Sequence, residues 1–283
     1  MDKPRNPWIA ALLSLLTIGL GQVYAGAPKR GVGFFILYRL LSIVFLTLLV
    51  VLAPKTGLLL FVSFIIVCPL FVLIDAARIA KSHREYYECK RYNKWYYYLL
   101  IPIIITISID PLTVGLVRHY IIQAYTIPSG AMKDTILVGD RIITDKLIYQ
   151  HSDPQRGDVI VFIYPLDPSK DFIKRVVAVG GDTVQLMDKK LLINGQLVDE
   201  PFVRYSDPKI RSGETSPRDN LGPLQVPEDQ YFVMGDNRDE SYDSRFWRFV
   251  PRSEVKGKAR SIYFSWDKDN ASVRWERIGM EIK

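Results

Sequence analysis

The chain has 283 residues and a formal net charge of +7, from 37 Lys and Arg against 30 Asp and Glu. Its apolar residues crowd toward the N-terminus, which argues against a single globule and for a membrane anchor followed by a soluble domain. Much of the positive excess sits in one short loop beside apolar runs, where anionic lipid accounts for it, so the charge gives no case for nucleic-acid binding.

The first apolar segment, Trp8–Ala25, follows Lys3 and Arg5 and is interrupted by Gly19 and Gly21. It is short for a crossing, and it can cross, re-enter, or act as a cleavable secretory signal. Gly31–Ala53 and Gly57–Ala76 each approach the ~20 apolar residues that span a bilayer core. Tyr96–Val117 is a third span, with Tyr96, Tyr97 and Tyr98 as an interfacial belt and Asp110 set beside a helix break at Pro111. The loop Arg78–Lys94 carries Arg78, Lys81, Arg84, Lys90, Arg91 and Lys94, which marks it as cytoplasmic and everything after the third span as external. Residues 1–118 therefore read as a membrane module with three to four transmembrane helices, and 119–283 as an extracytoplasmic domain.

Cys68 lies in a span and Cys89 in the basic loop, so the external domain has no disulfide. His83, His119 and His151 stand in no metal-ligand spacing, which leaves no metal site, no Ser-His-Asp triad and no cofactor to expect.

From His119 onward the pattern changes to short β-rich runs: Arg141–Tyr149, Val159–Tyr164, Phe172–Val179, Val184–Leu186, Tyr231–Met234 and Ala259–Ser265. Asn194-Gly195 supplies the two positive φ angles of a type I′ turn, so Leu191–Val198 is a hairpin. Tyr205–Gln230, rich in Pro, Ser, Gly and charge, reads as a surface loop.

Three segments carry candidate chemistry. In a strand Phe172–Val176, alternation puts Phe172, Lys174 and Val176 on one face and Ile173 with Arg175 on the other. A lysine among apolar side chains has a lowered pKa and can act as a general base; the bland alternative is a lysine that snorkels to water. Ile127-Pro-Ser-Gly-Ala-Met132, taken as extended, sets Ser129 and Ala131 on one face. A hydroxyl at 131 there would be a nucleophile and Ser129 an oxyanion donor, although a plain Pro-Ser-Gly turn is equally compatible with the residues. Gly235–Arg245 packs Asp236, Asp239 and Asp243 with Arg238 and Arg245 around Asn237, Ser241 and Ser244. Its spacing is wrong for an EF-hand calcium loop. It reads either as an exposed turn or as a buried network in which Asp243 pairs with Arg245 and Ser241 bonds the lysine.

All three segments, in this order and after membrane spans, resemble the type I signal peptidases, membrane-bound serine-lysine endopeptidases. The likeness runs from about Ile122 to Trp266 and includes Arg156-Gly-Asp-Val-Ile-Val-Phe162, Val226-Pro-Glu228 and Gly257-Lys-Ala259. It implies N-terminal transmembrane helices followed by a mostly-β extracytoplasmic peptidase domain in a bacterial plasma membrane, with signal peptides of exported preproteins and the bilayer as partners. By position it makes Lys174 the general base, Ser129 the oxyanion donor, Ser241 the orienter of the lysine, and Asp243 with Arg245 a structural ion pair. Gly235, Asp236 and Arg175 fall in the support of the site.

Three positions depart from the family's pattern. Ala131 stands at the nucleophile position, Asp134 where a proline is common, and Arg248 where glycine is usual. The multi-span N-terminal region also exceeds the usual one or two anchors. Ala131 has three explanations: a serine-to-alanine substitution that traps substrate in an otherwise complete enzyme, a naturally non-catalytic relative or membrane scaffold that binds peptide, or an enzyme that uses Ser129.

Overall fold

A computed structural model describes residues 4–51 and 54–283, so Lys3 and Ala53 lie outside the described residues. The chain divides into two compact units, Met1–His119 and Tyr120–Lys283.

In the first unit, α1 (Pro7–Leu16) is capped by the Asn6 side chain, which accepts from the Trp8 N–H at 2.9 Å. After a break at Thr17–Gly19 the short α2 (Leu20–Tyr24) turns back. Two long helices follow, α3 (Pro28–Val51) and α4 (Pro54–Ser82). Trp8–Ala25 is therefore not one spanning helix but a helical hairpin, and both its ends lie at the C-terminal end of α4. The Arg5 N–H donates to the His83 carbonyl at 3.1 Å, and the Arg5 guanidinium lies over Tyr24 and Tyr87, against which Gly26 also packs. The hairpin closes because Gly21 has no side chain: a Cβ there would stand 2.1 Å from the Ala10 carbonyl oxygen.

The polar groups between α2, α3 and α4 pair with one another, as an apolar setting favours. Gln22 Nε2 donates to the Val72 carbonyl at 2.8 Å and to Asp75 Oδ2 at 3.1 Å, and Arg30 Nη2 reaches Asp75 Oδ1 at 2.5 Å.

Pro28–Leu48, Thr56–Ser82 and Trp95–Tyr120 are long and apolar enough to cross a membrane. The last comprises α5 (Trp95–Ile104), a π-helical turn at Ile105–Ile109 and α6 (Asp110–Tyr120). The expected helix break at Pro111 is absent. The wider turn before it accommodates a residue that cannot donate to the ladder, and Asp110 is paired with Arg39.

The second unit is mostly β. Its strands are β1 (Ile122–Thr126), β2 (Asp140–Asp145), β3 (Val159–Ile163), β4 (Asp171–Val179), β5 (Thr183–Met187) and β6 (Lys190–Ile193). There follow β7 (Gln196–Leu197), β8 (Leu221–Gln225), β9 (Gln230–Met234), β10 (Val250–Pro251), β11 (Val255–Asp267) and β12 (Ser272–Val273). The larger sheet has the order β1-β2-β11-β3-β4-β9-β10, with β12 on β11, and the smaller the order β7-β6-β5-β8. The hairpin over Asn194 and Gly195 forms as its residues dictate, with φ of 52° and 77°. The stretch Tyr205–Gln230 is not all loop, because Leu221 and Leu224 pack against β5 and draw β8 into the smaller sheet.

Two open strand edges, on β1 and on the first half of β4, lie near the Ile127–Met132 segment. β1 pairs only with β2, and β9 covers β4 only from Arg175 onward, so Asp171–Lys174 has β3 on one side and no strand on the other. Tyr125, Ile127 and Met132 share an apolar cluster with Ile173, which brings these two open edges toward each other.

Arg248 follows the short α7 (Ser244–Trp247) with φ 78° and ψ −113°, a conformation that strains any residue with a Cβ by about 1–3 kcal/mol. Arg248→Gly relieves that strain against a glycine entropy cost of about 0.5–1 kcal/mol. Thermal unfolding of the variant should therefore show a net gain of roughly 1 kcal/mol, and a lowered midpoint would contradict the assignment of strain.

Candidate active site

Lys174 sits on β4 where alternation places it, 5% exposed, on the face that Phe172 and Val176 share. Its Nζ lies 5.3 Å from the Phe172 ring centroid and donates to the Ile173 carbonyl at 3.0 Å. Burial lowers its pKa from the ordinary 10.5 to about 8, with Arg245 pushing the same way and Asp243 and Asp236 opposing. The snorkelling alternative is thereby excluded.

Both opposing carboxylates are committed elsewhere. Arg245 holds Asp243 with Nε at 2.8 Å from one oxygen and Nη2 at 2.9 Å from the other. Arg175, on the opposite face of β4, holds Asp236 in the same forked way at 2.8 and 2.7 Å. For Asp243, burial alone would raise the carboxyl pKa, but the Arg245 charge and the Gly235 N–H hold it below the ordinary value. No ion pair neutralises Lys174 among the described residues.

The chain that carries Ala131 meets this floor at Gly235. Register across β4 and β9 pairs Arg175 with Met234, so Gly235 emerges beside Lys174. A Cβ on Gly235 would stand 2.3 Å from Ser241 Oγ and 2.5 Å from the Ala131 carbonyl oxygen. Glycine is required there, and Lys174, Ser241 and residue 131 converge around it. The loop is pinned from the next residues: the Asn237 N–H donates to the Ala131 carbonyl at 3.1 Å, its Nδ2 donates to the Gly130 carbonyl at 3.1 Å, and Thr135 Oγ1 donates to Asp236 at 2.6 Å.

Two expectations need correction. Ile127–Met132 is not extended: residues 129–130 bend and 131–135 form a turn. Ser129 and Ala131 therefore part company, Ser129 exposed and Ala131 buried, because the two carbonyl bonds to Asn237 curl the chain over Gly235. Ser241 does not bond the lysine. Its buried hydroxyl lies beside Asp243 without a well-formed hydrogen bond among the described residues, while the lysine is occupied by the Ile173 carbonyl.

Two contributors, Thr135 and Glu200, lie outside the three motifs. Thr135 had a local signal, being a polar residue just after Ile127–Met132. Glu200 did not; it lies far along the chain and forks onto buried Arg238 at 2.7 and 2.5 Å. Arg238 Nε in turn donates to the Gly235 carbonyl at 3.2 Å.

The chain matches the family described as signal peptidase, peptidase S26, over residues 96–266. A signal peptidase I of Aquifex aeolicus (strain VF5) is 40% identical over 205 residues, covering 54% of this chain and 80% of that protein. A signal peptidase I of Pseudomonas fluorescens is 35% identical over 207 residues, covering 58% and 72%. A probable signal peptidase I-2 of Synechocystis sp. is 38% identical over 149 residues, covering 50% and 63%.

The lowered lysine pKa has a consequence for stability. Between about 8 and 10.5 the unfolded chain holds a proton that the native lysine has lost, so stability rises with pH across that window. Below it the burial cost is constant, about 3 kcal/mol at 1.36 kcal/mol per unit. Lys174→Met should stabilise the domain at pH 7 by up to about that amount, a gain that shrinks toward pH 10.5. A Met variant less stable at pH 7 would show that the lysine is held by partners rather than by burial.

Proposed function

Because the chain belongs to the signal peptidase family, peptidase S26, we propose that its β domain binds signal peptides of exported preproteins at Ala131 and Lys174. On this reading it holds the general base of a serine-lysine endopeptidase and the buried network beneath it, without the nucleophile. The burial of Lys174 with an amine pKa near 8 carries the proposal. A lysine kept unpaired costs stability and supports no packing that a methionine would not, but it supplies a neutral amine near working pH.

The two open edges give the peptide its place. An extended segment lying between β1 and the Asp171–Lys174 half of β4 would bond to both backbones as an added strand. Its scissile carbonyl would then rest over residue 131. With a serine there, Oγ would attack that carbonyl carbon as its proton passed to neutral Lys174 Nζ. The resulting lysine ammonium would return the proton to the leaving amine, and water, activated by the same amine, would release the acyl group. With Ala131 the first bond cannot form, so the chain as written binds and does not cut. Ser129, exposed on the far side of the bend, is the less suited replacement; its hydroxyl fits a donor that a bound peptide draws in.

The membrane unit fits an anchor in a bacterial plasma membrane. If Trp95–Tyr120, one of the three helices long and apolar enough to cross, spans the bilayer, a cytoplasmic basic loop before it would set the β domain outside. Residues before Tyr96, outside the family match, form an added membrane module in this proposal.

Preprotein cleavage by the detergent-solubilised chain tests the assignment. We expect none from the chain as written and measurable cleavage from Ala131→Ser, reduced by about 10²–10³ when Ser129→Ala is added. Cleavage by the unaltered chain that vanishes in Ser129→Ala would sink it. In Ala131→Ser the rate should climb with pH through about 8, because the base acts only when deprotonated; a flat profile across that range would remove Lys174 from the role.

A further inference from the structure

Beyond Ala131 the turn 131–135 ends in an ion pair that takes no part in the floor around Lys174. Asp134 has φ 80°, and its carboxylate oxygens lie 3.0 and 3.3 Å from Arg204 Nη1. Arg204 belongs to a strap leading from the smaller sheet. The strap runs alongside Asn237, with the Arg204 N–H on the Asp236 carbonyl at 2.8 Å and the Arg238 N–H on the Arg204 carbonyl at 3.0 Å. Asn237 is also the residue whose N–H holds the Ala131 carbonyl. The backbone of Arg204 is thus fixed to the floor of the site, while its side chain stands at the rim, 41% exposed against 56% for Asp134.

An ion pair this exposed contributes little to stability. The pair also leaves Arg204 unsatisfied. Only Nη1 is engaged; Nε and Nη2, the edge that matches a carboxylate in a fork, have no partner among the described residues. A fixed backbone and a free guanidinium edge, held at the outer end of the turn that begins at Ala131, make a receptor for one acidic side chain.

We infer that Arg204, positioned by Asp134, is a specificity determinant that favours an acidic residue within about three positions after the scissile bond. This rests on peptide binding at Ala131 and Lys174. On this inference a polypeptide that crosses residue 131 continues past the turn whose outer end is the Asp134–Arg204 rim. An acidic side chain there meets the open edge of the guanidinium, whereas a basic one meets Arg204 itself and a carboxylate already engaged. Asp134 keeps the guanidinium from swinging away and so acts as a positioning residue.

The test uses the full chain in detergent, which needs no cleavage. Fluorescence anisotropy is read with labelled peptides that span a signal-peptide cleavage site and carry Ala, Asp or Lys at each of the three following positions. At one of these positions Asp should bind about two- to fivefold more tightly than Ala, the range an exposed charge pair gives, and Lys more weakly than Ala. The advantage should fall as ionic strength rises toward 1 M. In Arg204→Gln the Asp-to-Ala ratio should fall to one, in Arg204→Glu it should invert, and in Arg204→Lys part of it should return. Because the readout is a ratio between peptides, loss of folded protein does not imitate the result. A ratio of one in the unaltered chain, or a ratio that survives Arg204→Gln, overturns the inference while leaving peptide binding intact. Failure to bind any of the peptides overturns both the inference and the reading on which it rests.

Discussion

The arrangement at the site depends on one constraint: two carboxylates close to a buried lysine are both already claimed by arginine. Asp243 and Asp236 would each be an adequate counter-ion for Lys174, and either one, if free, would hold the ammonium charged. Arg245 and Arg175 take them in forked geometry instead. The forked geometry engages both oxygens of each carboxylate and leaves neither free to turn toward the lysine. The lysine is left with a backbone carbonyl and an aromatic face, and burial decides its protonation. Removing either arginine would free a buried carboxylate beside the amine and reverse that outcome.

The strand alternation that buries Lys174 and sends Arg175 to the opposite face was legible in five consecutive residues, because period two leaves no other choice once one face is apolar. The Asn194-Gly195 hairpin was legible for the same local reason. The shape of the segment around Ala131 was not. Its conformation comes from two hydrogen bonds to Asn237, more than a hundred positions away, and from the missing side chain of Gly235. Ser241 packs against Gly235, but its bonding was not legible, since a carbonyl next to Lys174 in sequence takes the lysine instead. β8 was hidden in a polar stretch because its identity rests on two leucines that meet β5 across the fold.

In the membrane unit the glycine-rich segment at 19–26 looked like an interruption of a span. It is a hairpin closure, and the small residues serve close helix contact rather than flexibility. The buried Gln22–Asp75–Arg30 chain ties α2, α3 and α4 together with polar groups that neither lipid nor apolar side chains would satisfy. Arg30 and Arg39, both within the long α3, are thus paired with carboxylates of neighbouring helices.

The positive φ at Asp134 limits how this loop can change over time. A proline is confined to φ near −65°, about 145° away from the angle at this position. The alanine at 131 and the aspartate at 134 are therefore not independent departures of equal kind. A serine at 131 needs no left-handed φ, whereas a proline at 134 demands a different turn and dismantles the contact with Arg204. Any lineage passing between this loop and the proline-bearing form meets a barrier at 134 and none at 131, so the nucleophile is the more easily gained or lost of the two.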